Sequence, residues 1–124
     1  MRYLLLLPLL ALTTPAVADP RPVGTETVIS FAGGGNLREW QRGAPGSDDL
    51  YVRDRTEQWY KVTLTGHCRL DRTLDTLTYT TDPNGTFDRF STLRVARYPQ
   101  QTCGVKSIRT SLPPAGRPGH RPKR

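Results

Sequence analysis

The sequence is poor in the residues that common enzyme signatures require. Its 124 residues include two cysteines and two histidines. Cys68 and Cys103 are too far apart to form the C-x-x-C pair of a thiol redox enzyme. No G-x-S-x-G nucleophile elbow occurs, and the glycine run at 33–35 lacks the Lys and the Ser or Thr of a phosphate-binding loop. These absences disfavour redox, serine-hydrolase and nucleotide-binding functions.

Long apolar runs are also scarce. The longest, at 3–12, is ten residues, well short of the ~20 that a membrane-spanning helix needs. It follows Arg2 and precedes the small residues 16–18, which is the pattern of a signal peptide with a cleavage site. We therefore predict a secretory signal over 1–18 and a periplasmic or secreted mature protein beginning at Asp19. A retained N-terminal anchor is the alternative.

Positive charge is concentrated outside the predicted domain. The chain carries 18 Lys and Arg, but residues 19–112 hold 13 of them together with all 11 Asp and Glu. This near balance disfavours a nucleic-acid-binding domain. Residues 113–124 are rich in Pro, Gly and base with little apolar surface to bury, so they predict a disordered tail. Its four cations predict weak, salt-sensitive attraction to anionic surfaces: Arg117, Arg121, Lys123 and Arg124.

Short alternating runs predict an all-β domain over residues 19–112. Val, Thr, Tyr and Phe alternate with polar residues between turn signals, and no segment keeps a helical period. The predicted strands span 27–31, 50–54, 57–65, 75–81, 86–98 and 103–112. A small antiparallel sheet of five or six short strands, in a partly open barrel or a sandwich, suits this pattern.

The Asp-Pro-Asn-Gly segment at 82–85 predicts a tight hairpin turn. With a three-residue loop, Asp82 faces Thr86 and Tyr79 faces Arg89. This register gathers five apolar residues on one face: Leu77, Tyr79, Phe87, Leu93 and Val95.

The hairpin of 50–54 with 57–65 predicts a surface feature. One register places five apolar side chains on the core face: Leu50, Val52, Tyr60, Val62 and Leu64. The opposite face then carries an aromatic and basic strip: Tyr51, Arg53, Trp59 and Lys61. An exposed strip of this kind would hold sugars, anionic polymers or a protein partner through stacking and charge. The favoured alternative is that Trp59 packs under a loop or against Trp40.

His67 stands directly beside Cys68. Neighbours on a strand point to opposite faces, so the two do not suit a nucleophile and base pair, which needs contact at about 3 Å. Two cysteines in a chain with a predicted signal indicate an oxidising compartment and a Cys68–Cys103 disulfide. His67 lacks companions for a metal site, because the other histidine, His120, lies in the tail. The sequence indicates no catalytic residue, metal or cofactor.

Three segments carry a likeness to known proteins: LYVRDRTEQWYKVTLTGHCRL at 50–70, FDRFS at 87–91, and the Cys, Val and Ile at 103, 105 and 108. Together they resemble a family of short secreted proteobacterial proteins known as a domain of unknown function. The resemblance spans residues 27–110. It implies an envelope location and a paired cysteine, and it brings no established activity.

The FDRFS segment contains one further candidate for a binding residue, Arg89. The predicted hairpin register points Arg89 toward the apolar face, where a charge is costly unless it is paired. An ion pair with Asp75 or another acid is favoured over a role in ligand binding.

Three functions fit these observations. The first is a secreted, non-enzymatic binding or structural module of the bacterial envelope, whose partner is an unidentified envelope component. The second is a small hydrolase of cell-wall or nucleic-acid polymers, with Asp88, His67 and Arg89 as the residues to test. The third is a protein inhibitor or chaperone-like partner that presents the strip. An enzymatic role is the less favoured.

Overall fold

The computed structural model of the protein describes residues 21–66, 68–70 and 76–119. These ranges contain six β-strands and no helix: β1 (Glu39–Arg42), β2 (Asp49–Arg53), β3 (Trp59–Thr65), β4 (Leu77–Tyr79), β5 (Thr92–Val95) and β6 (Cys103–Ser111). The described residues therefore include no helix long and apolar enough to cross a membrane. The predicted signal peptide, His67, Asp75 and residues 120–124 lie outside the described ranges.

The strands form one open antiparallel sheet in the order β1-β2-β3-β6-β5-β4. β6 is the longest strand and joins the two parts of the sheet, because it pairs with β3 along most of its length and with β5 at its start. β1 and β4 form the two edges. The predicted all-β antiparallel class is confirmed.

One face of the sheet, the inner face, holds the hydrophobic core. Leu50 lies opposite Val62, and Val62 opposite Ile108, and all three side chains are fully buried. This confirms the predicted register of the 50–65 hairpin. The buried cluster comprises Ile29, Ala32, Trp40, Leu50, Val52, Tyr60, Val62, Leu64, Leu70, Phe87, Leu93, Val95, Cys103, Val105 and Ile108.

The segment predicted as the first strand, 27–31, does not form one. Thr27 donates its backbone N–H to the Ile108 carbonyl of β6 at 2.9 Å, next to an isolated bridge of Glu26 with Arg109. Ile29 forms a second isolated bridge with Phe87, which lies outside the six strands. The last bridge is at Ile29, and Ser30 and Phe31 form a turn in which Phe31 has a left-handed backbone at a φ of 56°, a conformation that an extended strand does not adopt.

The first strand of the sheet is instead β1, which the sequence prediction omitted. Its residues alternate, with Trp40 buried opposite Val52. The neighbours of Trp40, which are Glu39 and Gln41, point to the other face.

The predicted register between 75–81 and 86–98 is wrong beyond the turn. The backbone N–H of Asp82 donates to the Thr86 carbonyl at 3.0 Å, as predicted, but Tyr79 lies opposite Leu93 instead of Arg89. The chain between Thr86 and Thr92 leaves the ladder, so β4 and β5 pair four residues further along than expected.

Burial of Phe87 explains this change of register. Phe87 exchanges backbone hydrogen bonds with Ile29 at 2.9 and 3.0 Å, and its ring packs edge-on against Tyr79 with centroids 5.9 Å apart. Its side chain is fully buried. The apolar residues predicted to share one face of this hairpin do pack with the core, although the two strands pair in a different register from the predicted one.

Cys68 and Cys103 form the predicted disulfide, with Cα atoms 5.8 Å apart and a sequence separation of 35. Cys103 is buried at the start of β6. The bridge ties the segment after β3 to the middle of the sheet. Such a bridge indicates an oxidising compartment outside the cytoplasm.

Candidate ligand-binding groove

The other face of the sheet, the outer face, carries a row of side chains that crosses four strands. Gln41 of β1 lies opposite Tyr51 of β2, Tyr51 opposite Lys61 of β3, and Lys61 opposite Arg109 of β6. Adjacent strands are about 4.8 Å apart, so the row places an amide, a ring and two cations within about 15 Å. A ligand lying across the strands would meet all four.

This row is the floor of a groove of about 740 Å³. One wall is the turn after β1, which includes Ala44 and Pro45, and the other wall includes Val23 and residues 112–115. Val23 is 60% exposed and Leu112 is 38% exposed, so the walls offer apolar surface to a ligand. The volume is typical of a pocket for a small ligand or a short stretch of polymer.

Residues 113–117, named here the strap, lie across the outer face after β6. Gln41 Nε2 donates to the carbonyl of Ala115 at 2.8 Å. Arg117 forms an ion pair with Glu39, with Nη1 and Oε2 2.7 Å apart, and its Nε donates to Gln41 Oε1 at 3.3 Å. The strap therefore connects the end of β6 to the β1 edge of the sheet.

The strap belongs to the segment that the sequence predicts as a disordered tail. Residues 113–119 are described, and Arg117 is bound to Glu39 instead of extending into solvent as a free tail cation. The prediction missed this contact because Glu39 is distant in sequence. The remaining cations of the predicted anionic-surface tail lie outside the described residues: Arg121, Lys123 and Arg124.

Trp59 points to the outer face, opposite Arg53, yet only 6% of it is exposed. The guanidinium of Arg117 lies 5.6 Å from the centroid of its ring. Trp59 therefore packs under a loop, namely the strap, and not against Trp40, which is on the inner face. The four residues of the predicted strip do lie on one face of the sheet, but they form two pairs. Tyr51 and Lys61 line the open groove, whereas Arg53 and Trp59 lie opposite each other in the neighbouring row.

Two cations, Lys61 and Arg109, give the floor of the groove a positive charge, which one carboxylate partly neutralises. Lys61 Nζ lies 3.4 Å from Asp49 Oδ2, and the other oxygen of Asp49 accepts a hydrogen bond from Thr63 Oγ1 at 2.7 Å. Arg109 Nη1 donates to the carbonyl of Gly24 at 3.3 Å, which orients the guanidinium without neutralising it. The Lys61 side chain remains 43% exposed, so both cations can meet an anionic ligand.

A separate buried polar cluster stabilises the turn between β2 and β3. Asp54 Oδ1 accepts the backbone N–H groups of Thr56 and Gln58 at 2.8 and 3.0 Å, and Oδ2 accepts the Tyr60 hydroxyl at 3.1 Å. Burial, and then the charge of Asp54, raises the pKa of Tyr60 above its ordinary value. Because both oxygens of Asp54 are used within the turn, this cluster serves the fold.

Arg89 does not face the core, so that prediction is wrong. It is exposed in the turn 88–91, where Asp88 Oδ1 accepts the Phe90 N–H at 2.8 Å and Ser91 Oγ accepts the Asp88 N–H at 3.0 Å. These side-chain bonds close a local turn that lifts Arg89 and Phe90 off the sheet. Asp88 thus caps a turn, and the third candidate of the hydrolase hypothesis, His67, lies outside the described residues. Within the described ranges, no three His, Cys, Asp or Glu side chains cluster as a metal site would require.

Sequence reasoning missed three residues of the outer face: Glu39, Gln41 and Arg109. The alternation of Glu39 and Gln41 around Trp40 is a strand signal that was available in the sequence. Arg109 lay within a predicted strand, but its place beside Lys61 depends on the pairing of β6 with β3. Nothing local in the sequence specifies that pairing.

No known protein family matches this chain, and neither characterised proteins nor solved structures show significant similarity to it. The family resemblance therefore stays a prediction from the sequence. Function is inferred from the chemistry of the groove.

Proposed function

We propose that this protein is a non-enzymatic binding module of the bacterial envelope, periplasmic or secreted, whose groove receives an anionic polymer. The observation that carries the proposal is the row of Gln41, Tyr51, Lys61 and Arg109 at the floor of an open groove. Each of the strands β1, β2, β3 and β6 contributes one side chain able to contact a ligand, so a polymer lying across these strands would contact all four side chains.

Charge supports an anionic ligand. Lys61 and Arg109 are on adjacent strands, at a spacing of about 4.8 Å that suits successive negative groups of one chain. Hydrogen bonds from cations to carboxylate, sulfate or phosphate oxygens are stronger than neutral ones. Tyr51, next in the row, adds a ring face for stacking and a hydroxyl for hydrogen bonding.

The position of the acidic groups supports binding over catalysis. Asp49 is the carboxylate beside Lys61, and its two oxygens are engaged by Lys61 and Thr63. A general acid or base needs a carboxyl that is free to reach the substrate. The disulfide supports a location outside the cytoplasm, and the predicted signal peptide and family resemblance support the envelope in particular.

Titration of purified protein with three polymers tests this function. The probes are an oligomer of galacturonic acid, neutral dextran of similar length, and linear polyphosphate. We expect calorimetry at low salt to show binding of the two anionic probes and none of dextran. Lys61→Ala and Arg109→Ala should each weaken anion binding about tenfold, as loss of one charge-assisted hydrogen bond does.

The matched control is Arg94→Ala, which removes an exposed cation of β5 that does not line the groove. This variant should bind as the unaltered protein does. Equal weakening by all three substitutions would mean that net charge, and not the groove, attracts the polymer. Absence of binding to both anionic probes would show that the proposed function is wrong.

A further inference from the structure

The outer face holds a second row parallel to the floor of the groove. Glu39 lies opposite Arg53, Arg53 opposite Trp59, and Trp59 opposite Ser111. Trp59 and Tyr51 are on neighbouring strands one step apart along the face, a diagonal relation in which Cβ atoms are about 7 Å apart or less. Tyr51 lines the open groove, whereas Arg117 of the strap covers the ring of Trp59.

We propose that Trp59 is a concealed stacking subsite, uncovered when the strap is displaced, and that it selects a polysaccharide among anionic polymers. This inference rests on the proposed function. Uncovering Trp59 would convert a groove with one ring into a platform with two. Two adjacent rings flanked by polar side chains of the outer face suit the successive sugar rings of a polysaccharide, whose C–H faces pack against aromatic rings.

The strap is held by contacts that an anionic ligand weakens. The ion pair of Arg117 with Glu39 is partly solvated, with side chains 31% and 33% exposed, and pairs of this kind contribute little and are screened by salt. A polymer carrying several negative groups competes directly with the Glu39 carboxylate for Arg117. The ligand that the groove attracts is therefore the ligand that can release the strap.

The second row, which contains Trp59, also contains a hydrogen-bond donor suited to a ligand oxygen. Arg53 pairs with Glu39 through Nη2 at 2.9 Å, but its Nε is buried and has no acceptor among the described residues. A buried unsatisfied donor is costly. A sugar hydroxyl or carboxylate entering this row would satisfy it, while Gln41, released from Ala115, would offer its amide.

Two substitutions, used together, separate the contribution of the ring from that of charge. Glu39→Gln removes the carboxylate that holds Arg117 and Arg53, so it releases the strap and also adds one net positive charge. Trp59→Leu keeps an apolar side chain and removes the ring, and Trp59→Phe is used if the leucine variant does not fold. Both are combined with Glu39→Gln and compared with it alone.

The first measurement is acrylamide quenching of tryptophan fluorescence, with Trp40 as a buried constant background on the inner face. Glu39→Gln should raise the quenching, and Trp59→Leu in that background should abolish the increase. Polyphosphate, which can displace the strap but has no ring to cover the indole, should shift the Trp59 emission of the unaltered protein to longer wavelength. Galacturonate oligomer should not produce this shift, because its sugar rings replace the strap on Trp59.

The second measurement is affinity for the same two probes. Glu39→Gln should tighten galacturonate binding, and adding Trp59→Leu should weaken it again by about 3- to 10-fold, the range of one aromatic contact. Polyphosphate should be indifferent to Trp59→Leu. If galacturonate binds but ignores Trp59 in the Glu39→Gln protein, the subsite is wrong and the proposed function stands. If no variant binds either anionic probe, both are wrong.

Discussion

On β3, Val62 and Lys61 are neighbours in the chain, yet they belong to faces that are stabilised in different ways. Val62 is fully buried between Leu50 and Ile108, so the hydrophobic effect fixes its position. Lys61 is half-exposed and held by one ion pair with Asp49, which water and salt weaken. The inner face therefore supplies stability, and the outer face can exchange its partners at small cost.

The largest effect on stability is expected from a comparison of the two phenylalanines in the FDRFS segment at 87–91. Phe87 is fully buried and Phe90 is 89% exposed. Phe87→Ala should lower the free energy of unfolding by about 3 to 5 kcal/mol, because it leaves a cavity in the core. Phe90→Ala should change it by no more than about 0.5 kcal/mol. Urea unfolding measures both, and similar losses would mean that the turn 88–91 is packed in solution.

A smaller effect is expected for a polar contact on the inner face. Tyr60→Phe removes the hydroxyl that donates to Asp54 Oδ2 and should cost about 1 kcal/mol. Because burial raises the pKa of Tyr60 in the folded protein, the neutral phenol is favoured by folding. Its contribution is complete below the unfolded pKa of about 10 and is lost as pH rises through the higher folded value.

Thermal unfolding between neutral and strongly alkaline pH, with ultraviolet titration of the phenols, tests this dependence. The unaltered protein should lose stability more steeply above about pH 10 than Tyr60→Phe does. Parallel curves for the two proteins would show that Tyr60 is not the group responsible.

The smallest effect is expected on the outer face. Arg117→Ala removes the pair with Glu39 and the contact with Trp59 and should cost about 0.2 to 1 kcal/mol at low salt, since the pair is partly solvated. The difference from the unaltered protein should shrink as salt is raised. Arg94→Ala provides the comparison for loss of a cation alone, and a larger, salt-independent loss for Arg117 would place the strap among the structural elements.

The sequence predicted the residues of the inner face better than the contacts of the outer face. Alternation in 57–65 was enough to place Tyr60, Val62 and Leu64 in the core, because a strand with one buried face has a period of two. Phe87 was assigned to the right face in the wrong register, since its pairing with Ile29 is a long-range contact. The strap was not foreseen, because Arg117 gains its partners only after Glu39 and Trp59 have been brought onto one face by the sheet.

The contacts of Arg21 and Arg117 have a further consequence, for the first residues of β3. Arg21 lies over the ring of Tyr60, and Arg117 over the ring of Trp59, and these neighbouring side chains point to opposite faces of the sheet. Segments from the two ends of the described domain therefore enclose the start of one central strand between them. Loss of either segment should expose one aromatic ring and leave the ring on the other face covered.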